Sequence, residues 1–178
     1  MVFDRSAINV GRTIQDFGLG DLSGVYRNTA KLRAKGWLVI IFFDASDSKS
    51  SGTTGILKNW AASLPSDKVS ILGVGVGERS DVEQYAKTYE VTFPLVWDYD
   101  DYVSATWSVS ALPTVYVTNA GGKVLSRIIG SNTAELGEAQ ALLESEIEKA
   151  VEAARIAAEK AAADKAAAEA ASPAPAKA

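Results

Sequence analysis

Four apolar runs stand out along the chain, separated by polar stretches in which apolar residues recur at helical spacing. "WLVIIFF" (Trp37–Phe43) is apolar at every position, the pattern of a strand covered on both faces. "VSILGVGV" (Val69–Val76) is rich in β-branched residues, as strands are. "TVYVT" (Thr114–Thr118) alternates, and "KVLSRIIG" (Lys123–Gly130) follows the tight-turn sequence "NAGG". These last two runs are predicted to form an antiparallel hairpin. Between the strands, residues 53–63 place Ile56, Leu57 and Trp60 on one helical face. Residues 80–90 open with a Ser80/Asp81 cap signal followed by Glu83. The predicted order is β-α-β-α-β-β and then a helix. A parallel βαβ start feeding an antiparallel hairpin indicates an α/β fold, a mixed sheet flanked by helices.

From Thr133 the periodicity becomes that of one long helix. As far as Ile156 it carries large apolar residues (Leu136, Leu142, Leu143, Ile147, Val151 and Ile156), enough for docking on the sheet. Beyond that point the only apolar side chain is alanine, which favours helix but has little area to bury. Alanine supplies sixteen of the twenty-nine residues from Ala150 to Ala178. Leu143, Ala150 and Ala157 with Ile147, Ala154 and Ala161 fit a weak heptad seam, which makes self-association through this helix an expectation. The predicted organisation is a domain over 1–145, an Ala-rich helical extension over 146–171 and a disordered Pro/Ala tail over 172–178.

Charge changes this picture little. The tail holds four basic and four acidic residues, so the net charge of -4 belongs to residues 1–149. A mildly acidic globular part without a basic stripe argues against nucleic acid as a partner. No run approaches the roughly 18 apolar residues of a membrane span. The opening "MVFDRSAINVGRTIQDF" lacks the apolar core of a signal peptide. As written the chain is expected to be cytoplasmic, or periplasmic or otherwise extracytoplasmic if it is the mature part of an exported protein.

The absence of cysteine and histidine changes the picture a great deal. It removes disulfides, thiolate chemistry, His-based acid–base catalysis and zinc sites built on Cys or His. No cofactor is indicated, and any metal would need oxygen ligands. The acidic "DYDD" (Asp98, Tyr99, Asp100, Asp101) lacks an EF-hand pattern and reads as a solvated loop. Trp60, Trp97, Trp107, Tyr85 and Tyr99 read as core and rim packing rather than a ligand cage. The junction that follows the first strand, "DASDSKSSGTTG", is a polar loop in which Ser48, Ser50 and Ser51 are expected to cap the next helix. Anion binding by the helix start, the hydroxyls and Lys49 is a weaker alternative, since no P-loop pattern is present.

Three stretches resemble the thioredoxin-fold family, in its TlpA/ResA-like branch close to the peroxiredoxins (AhpC/TSA). "INVGRTIQDFGLGDLSG" resembles the family's N-terminal strand and turn, with Gln15 where proline is usual. "LVIIFFDAS" resembles the strand that delivers the active site. The stretch from "ILGVGVGERSD" through "ALPTVYVTNAGGKV" resembles most of the remaining domain. The resemblance covers roughly residues 8–145 and leaves the alanine tail outside. It implies that Pro113 follows a cis peptide bond, and that Leu112, Pro113 and Thr114 border a groove for extended polypeptide. Peroxiredoxins typically carry an arginine near this strand and lack the cis proline. No arginine lies close by in sequence here, which favours the TlpA side.

On that alignment Ser48 and Ser51 occupy the positions of the family's redox cysteines. Thiol–disulfide exchange needs a thiolate, and a helix N-terminus lowers a pKa by only about one to two units, far too little to ionise an alcohol. A serine nucleophile would need an adjacent base, for which Asp44 or Asp47 alone is a poor substitute. Two expectations follow. The first is a redox-inactive domain that binds a polypeptide, or acts structurally, through the groove beside Ser48 and Pro113. The second is a thiol-disulfide oxidoreductase whose cysteines at positions 48 and 51 became serine by design or by descent.

Overall fold

A computed structural model describes residues 8–170 of the chain, with side chains to 168. Two short strands, β1 (Gly18–Gly20) and β2 (Tyr26–Asn28), pair antiparallel and lead into helix α1 (Thr29–Arg33). Then come β3 (Trp37–Asp44), α2 (Lys49–Ser63), β4 (Val69–Val76), α3 (Arg79–Thr88) and β5 (Leu95–Trp97). A 3₁₀ turn (Tyr99–Asp101), α4 (Tyr102–Thr106), β6 (Thr114–Asn119), β7 (Val124–Ile129) and α5 (Thr133–Ala170) complete the order.

The main sheet has the order β5-β4-β3-β6-β7. β3 runs parallel to β4, and β4 to β5, whereas β6 is antiparallel to both β3 and β7. β3 is therefore the central strand, and its unbroken apolar run has a physical cause: Leu38 to Phe43 are all fully buried. Leu38, Ile40 and Phe42 share one core cluster with Leu72, Val74, Val96, Val103, Trp107 and Tyr116. Within it the rings of Phe42, Trp107 and Tyr116 lie 5.2–6.0 Å apart, in tilted and edge-on pairs. Phe43 points the other way and meets Tyr85 of α3 at 4.6 Å.

The mixed sheet and its hairpin agree with the expectation, with small shifts at the ends. Several elements were not apparent from pattern alone. β1, β2, β5, α1 and α4 have three to five residues each, too short for a period to show. Helix α2 begins at Lys49, four residues before the predicted start, because the Ser/Thr/Gly-rich stretch turns helical instead of staying loop. The cap of α3 is Glu78, not Ser80 or Asp81, and makes no side-chain cap bond.

The chain divides into two compact units, residues 1–140 and 141–178, with α5 running through the boundary. In the first unit Leu136 and Ala139 are buried. In the second, every described side chain from 148 on is exposed, Val151 and Ile156 among them, so apolar packing does not extend to Ile156. This stretch is helical through the propensity of alanine and through Arg155, which bridges Glu152 and Glu159. The predicted Pro/Ala tail at 172–178 lies outside the described residues. No helix among the described residues is long and apolar enough to cross a membrane.

Candidate functional site

The junction after β3 is organised by two aspartates. Asp44 Oδ1 accepts hydrogen bonds from the Ser46 main-chain N–H (2.9 Å) and hydroxyl (2.7 Å), turning the chain out of the strand. Asp47 Oδ1 accepts the Lys49 N–H at 2.9 Å, and its other oxygen lies 3.4 Å from Lys49 Nζ. The Lys49 N–H, and then the Lys49 ammonium, hold the exposed Asp47 carboxyl below its ordinary value. Capping at the start of α2 thus falls to Asp47 and not to the serines, a correction to the sequence reading. Ser48 is the N-cap residue by position (φ -64°, ψ -14°), yet its side chain makes no cap bond. It is exposed, and its hydroxyl has no hydrogen bond among the described residues. Ser51 Oγ donates instead to the Ser48 carbonyl at 2.6 Å, across the first turn. Neither hydroxyl has a carboxylate or amine bonded to it, so the junction holds no activated nucleophile.

The Leu112–Pro113 peptide is cis. Thr114 opens β6 opposite Phe42, two residues before β3 ends, so Pro113 lies at the carboxyl end of β3, where the Asp44–Ser48 turn departs. A chain of hydrogen bonds joins the two regions. Ser131 Oγ donates to the Lys49 carbonyl at 3.0 Å and accepts from Thr53 Oγ1 at 3.2 Å. One residue earlier, Gly130 N–H donates to the Pro113 carbonyl at 2.7 Å. The first turn of α2 and the proline-bearing bend are therefore pinned to the same two residues after β7. Gly130 and Ser131 escaped the sequence reading, since only the pairing of β6 with β7 brings them here. The one local hint is the left-handed Gly130 (φ +80°) that ends the strand.

The groove margin is graded. Pro113 and Thr114 are buried, Leu112 is half-buried, and Ser110 and Ala111 are exposed. Thr114 Oγ1 donates back to the Ala111 carbonyl at 2.7 Å. The Leu112 main-chain N–H and C=O have no hydrogen-bond partner among the described residues. Cavities of about 220, 260 and 350 Å³ open elsewhere on the molecule, and neither Ser48, Ser51 nor Pro113 lines any of them.

Two neighbours differ from expectation. Arg127 of β7 stands opposite Tyr116 of β6, its guanidinium 5.8 Å from the ring centroid and bonded to Asn9. An arginine is thus close to the proline-bearing strand in space though not in sequence, and it is already engaged. Asp98, read as part of a solvated loop, is buried, and its two oxygens accept the Val103 and Ser104 N–H groups at 2.8 Å. It anchors the start of α4. Among the described residues no cluster of acidic side chains could hold a metal ion.

A parallel βαβ core, an antiparallel hairpin and a cis-proline entry to β6 beside a helix start define a thioredoxin-like domain. Comparison with known proteins agrees: residues 10–127 match the AhpC/TSA family model, and the chain belongs to that family. It is 32% identical over 133 residues to the thiol-disulfide oxidoreductase ResA of Geobacillus thermodenitrificans, spanning 74% of this chain and 76% of that protein. The Bacillus subtilis ResA is 30% identical over 130 residues, 72% of each chain. Among solved structures, a thiol:disulfide interchange protein DsbE from Chlorobium tepidum shares the fold with a TM-score of 0.69 at 16% identity, covering 81% of this chain and 99% of the other. The chain is thus a ResA-like family member without a single cysteine.

Proposed function

We propose that this domain is a redox-inactive, polypeptide-binding member of its family, and that an extended segment pairs with the main chain of Leu112 beside Pro113. The observation that carries the reading is the unengaged N–H and C=O of Leu112, half-buried beside the cis Pro113, whose own carbonyl and that of Ala111 are already bonded within the domain. A half-buried strand margin with free donor and acceptor is a template for strand addition. Ser48 and Ser51 then serve as a small, uncharged floor at the start of α2. Titration of the ¹⁵N-labelled protein with extended peptides tests this. The Leu112 amide is expected to shift on binding, and Ser48→Trp, at an exposed position, is expected to weaken binding at least tenfold. A Leu112 amide that stays unmoved while peptides bind elsewhere would overturn it.

A second reading is favoured by the relatedness to ResA: a thiol-disulfide oxidoreductase scaffold whose positions 48 and 51 carried cysteines. In this reading the domain works outside the cytoplasm, where disulfides form and persist. Reinstalling thiols at the two positions separates it from the first.

A further inference from the structure

A cavity of about 220 Å³ lies at the amino end of the parallel strands, bounded by α1, the last turns of α2, the start of β4 and the Thr92–Pro94 segment. β4 begins there at Val69, opposite Trp37, whereas Ser48 follows the far end of β3. Eight residues of strand separate the two ends, about 25 Å at the usual rise. The cavity is therefore remote from the margin at Pro113.

Its wall is mostly apolar: Leu32, Trp60, Leu64, Val69, Ile71 and Phe93. The charged residues that line it are Arg27 and Lys35, and no aspartate or glutamate does. Arg27 is neutralised, its guanidinium lying 2.7 Å from Asp21 Oδ2. Lys35 is exposed and has no ion pair or hydrogen bond from its side chain among the described residues. Trp60 in the wall is 1% exposed, and its Nε1–H has no acceptor. The charged groups of the wall leave one free cation, Lys35, and no anion, while Ser66 and Thr92 add neutral hydroxyls. A complementary occupant has a compact apolar body and a single negative, hydrogen-bond-accepting head. We propose that this cavity binds a small monoanionic amphiphile, such as a medium-chain carboxylate, with its head at Lys35 and its apolar part against Trp60.

The test uses octanoate as probe on the ¹⁵N-labelled full chain, read at the Trp60 indole N–H cross-peak. The expected result is a saturable shift of that peak at submillimolar octanoate, with no saturable shift from octylammonium, the same body with the opposite charge. Lys35→Glu, a surface change that leaves the fold intact, is expected to weaken octanoate binding about fivefold, and added salt to weaken wild-type binding. Three results would each overturn the proposal: no saturable shift at low-millimolar octanoate, equal binding of octylammonium, or unchanged affinity in Lys35→Glu. Circular dichroism of the variant confirms that it is folded, so a loss of binding reports the charge.

Discussion

Replacing Ser48 and Ser51 together by cysteine asks how much of the family's chemistry the scaffold still supports. Ser48 has helical dihedrals and Ser51 follows three residues later in α2. Helical geometry with a radius of about 2.3 Å and a rise of about 1.5 Å per residue separates their Cα atoms by about 5 Å. That lies within the roughly 4.4–6.8 Å range of disulfides, so an intramolecular bond is expected to form on oxidation. The poise of the introduced thiol is a separate matter. The N-terminus of α2 favours a thiolate at position 48 by about 0.3–1 kcal/mol at an exposed site, which lowers its pKa by about half a unit. The Asp47 carboxylate next to it opposes this, two charges about 6 Å apart in water costing about 0.7 kcal/mol. Lys49 offers little net help because it is already paired with Asp47. The two effects nearly cancel, and the thiol at position 48 is expected to titrate close to the ordinary value of about 8.5. Alkylation rates with iodoacetamide across the pH range give this value, and mass spectrometry of the oxidised double variant gives the bond. A pKa below about 7 would refute the electrostatic reasoning and show a junction still tuned for redox work. Failure of the two thiols to pair would refute the helical placement of Ser48.

Other expectations rest on groups away from the junction. Burial pushes the Asp21 carboxyl up, but hydrogen bonds from Ser23, Arg27 and the Val25 main chain, with the Arg27 charge, outweigh it and bring the group down to about 2. Because the folded value lies below the unfolded one, its contribution of about 2 kcal/mol is present above about pH 4 and is lost as pH falls toward 2. Urea unfolding at stepped pH is expected to show this loss in the wild type and to lack it in Asp21→Asn. Asp98→Ala leaves two buried N–H groups of α4 without acceptors and is expected to cost about 1–3 kcal/mol in the same measurement. A Cβ at Gly75 would lie 2.6 and 2.8 Å from the two methyls of the stiff, buried Val82, so Gly75→Ala is expected to destabilise by about 1–3 kcal/mol and lower the melting temperature accordingly. Burial first, and then the charge of Tyr89, raise the Tyr85 phenol to about 12 against the opposing Thr54 hydrogen bond. Burial raises Tyr116 as well, so a spectrophotometric titration is expected to leave Tyr85 un-ionised at pH 11 and to show fewer than six tyrosines ionised there.

The chain of residues determined a good deal without its folding partners. An uninterrupted apolar run at Trp37–Phe43 requires cover on both faces, and "NAGG" between two short runs requires a hairpin. These signals are local, set by side-chain periodicity and by turn residues, and so survive without tertiary information. The lack of thiol and imidazole is likewise absolute, since no fold can supply chemistry that the side chains lack. Tertiary structure decided which polar groups remained free. The serines after β3 looked like caps, but Asp47 reaches the first free N–H and leaves the Ser48 hydroxyl unused. Asp98 looked solvated, but the start of α4 folds over it. Gly130 and Ser131 join the helix start to Pro113 only because β7 returns beside β6. Hydrogen-bond competition of this kind is settled by distances between residues remote in sequence, which no pattern along the chain contains.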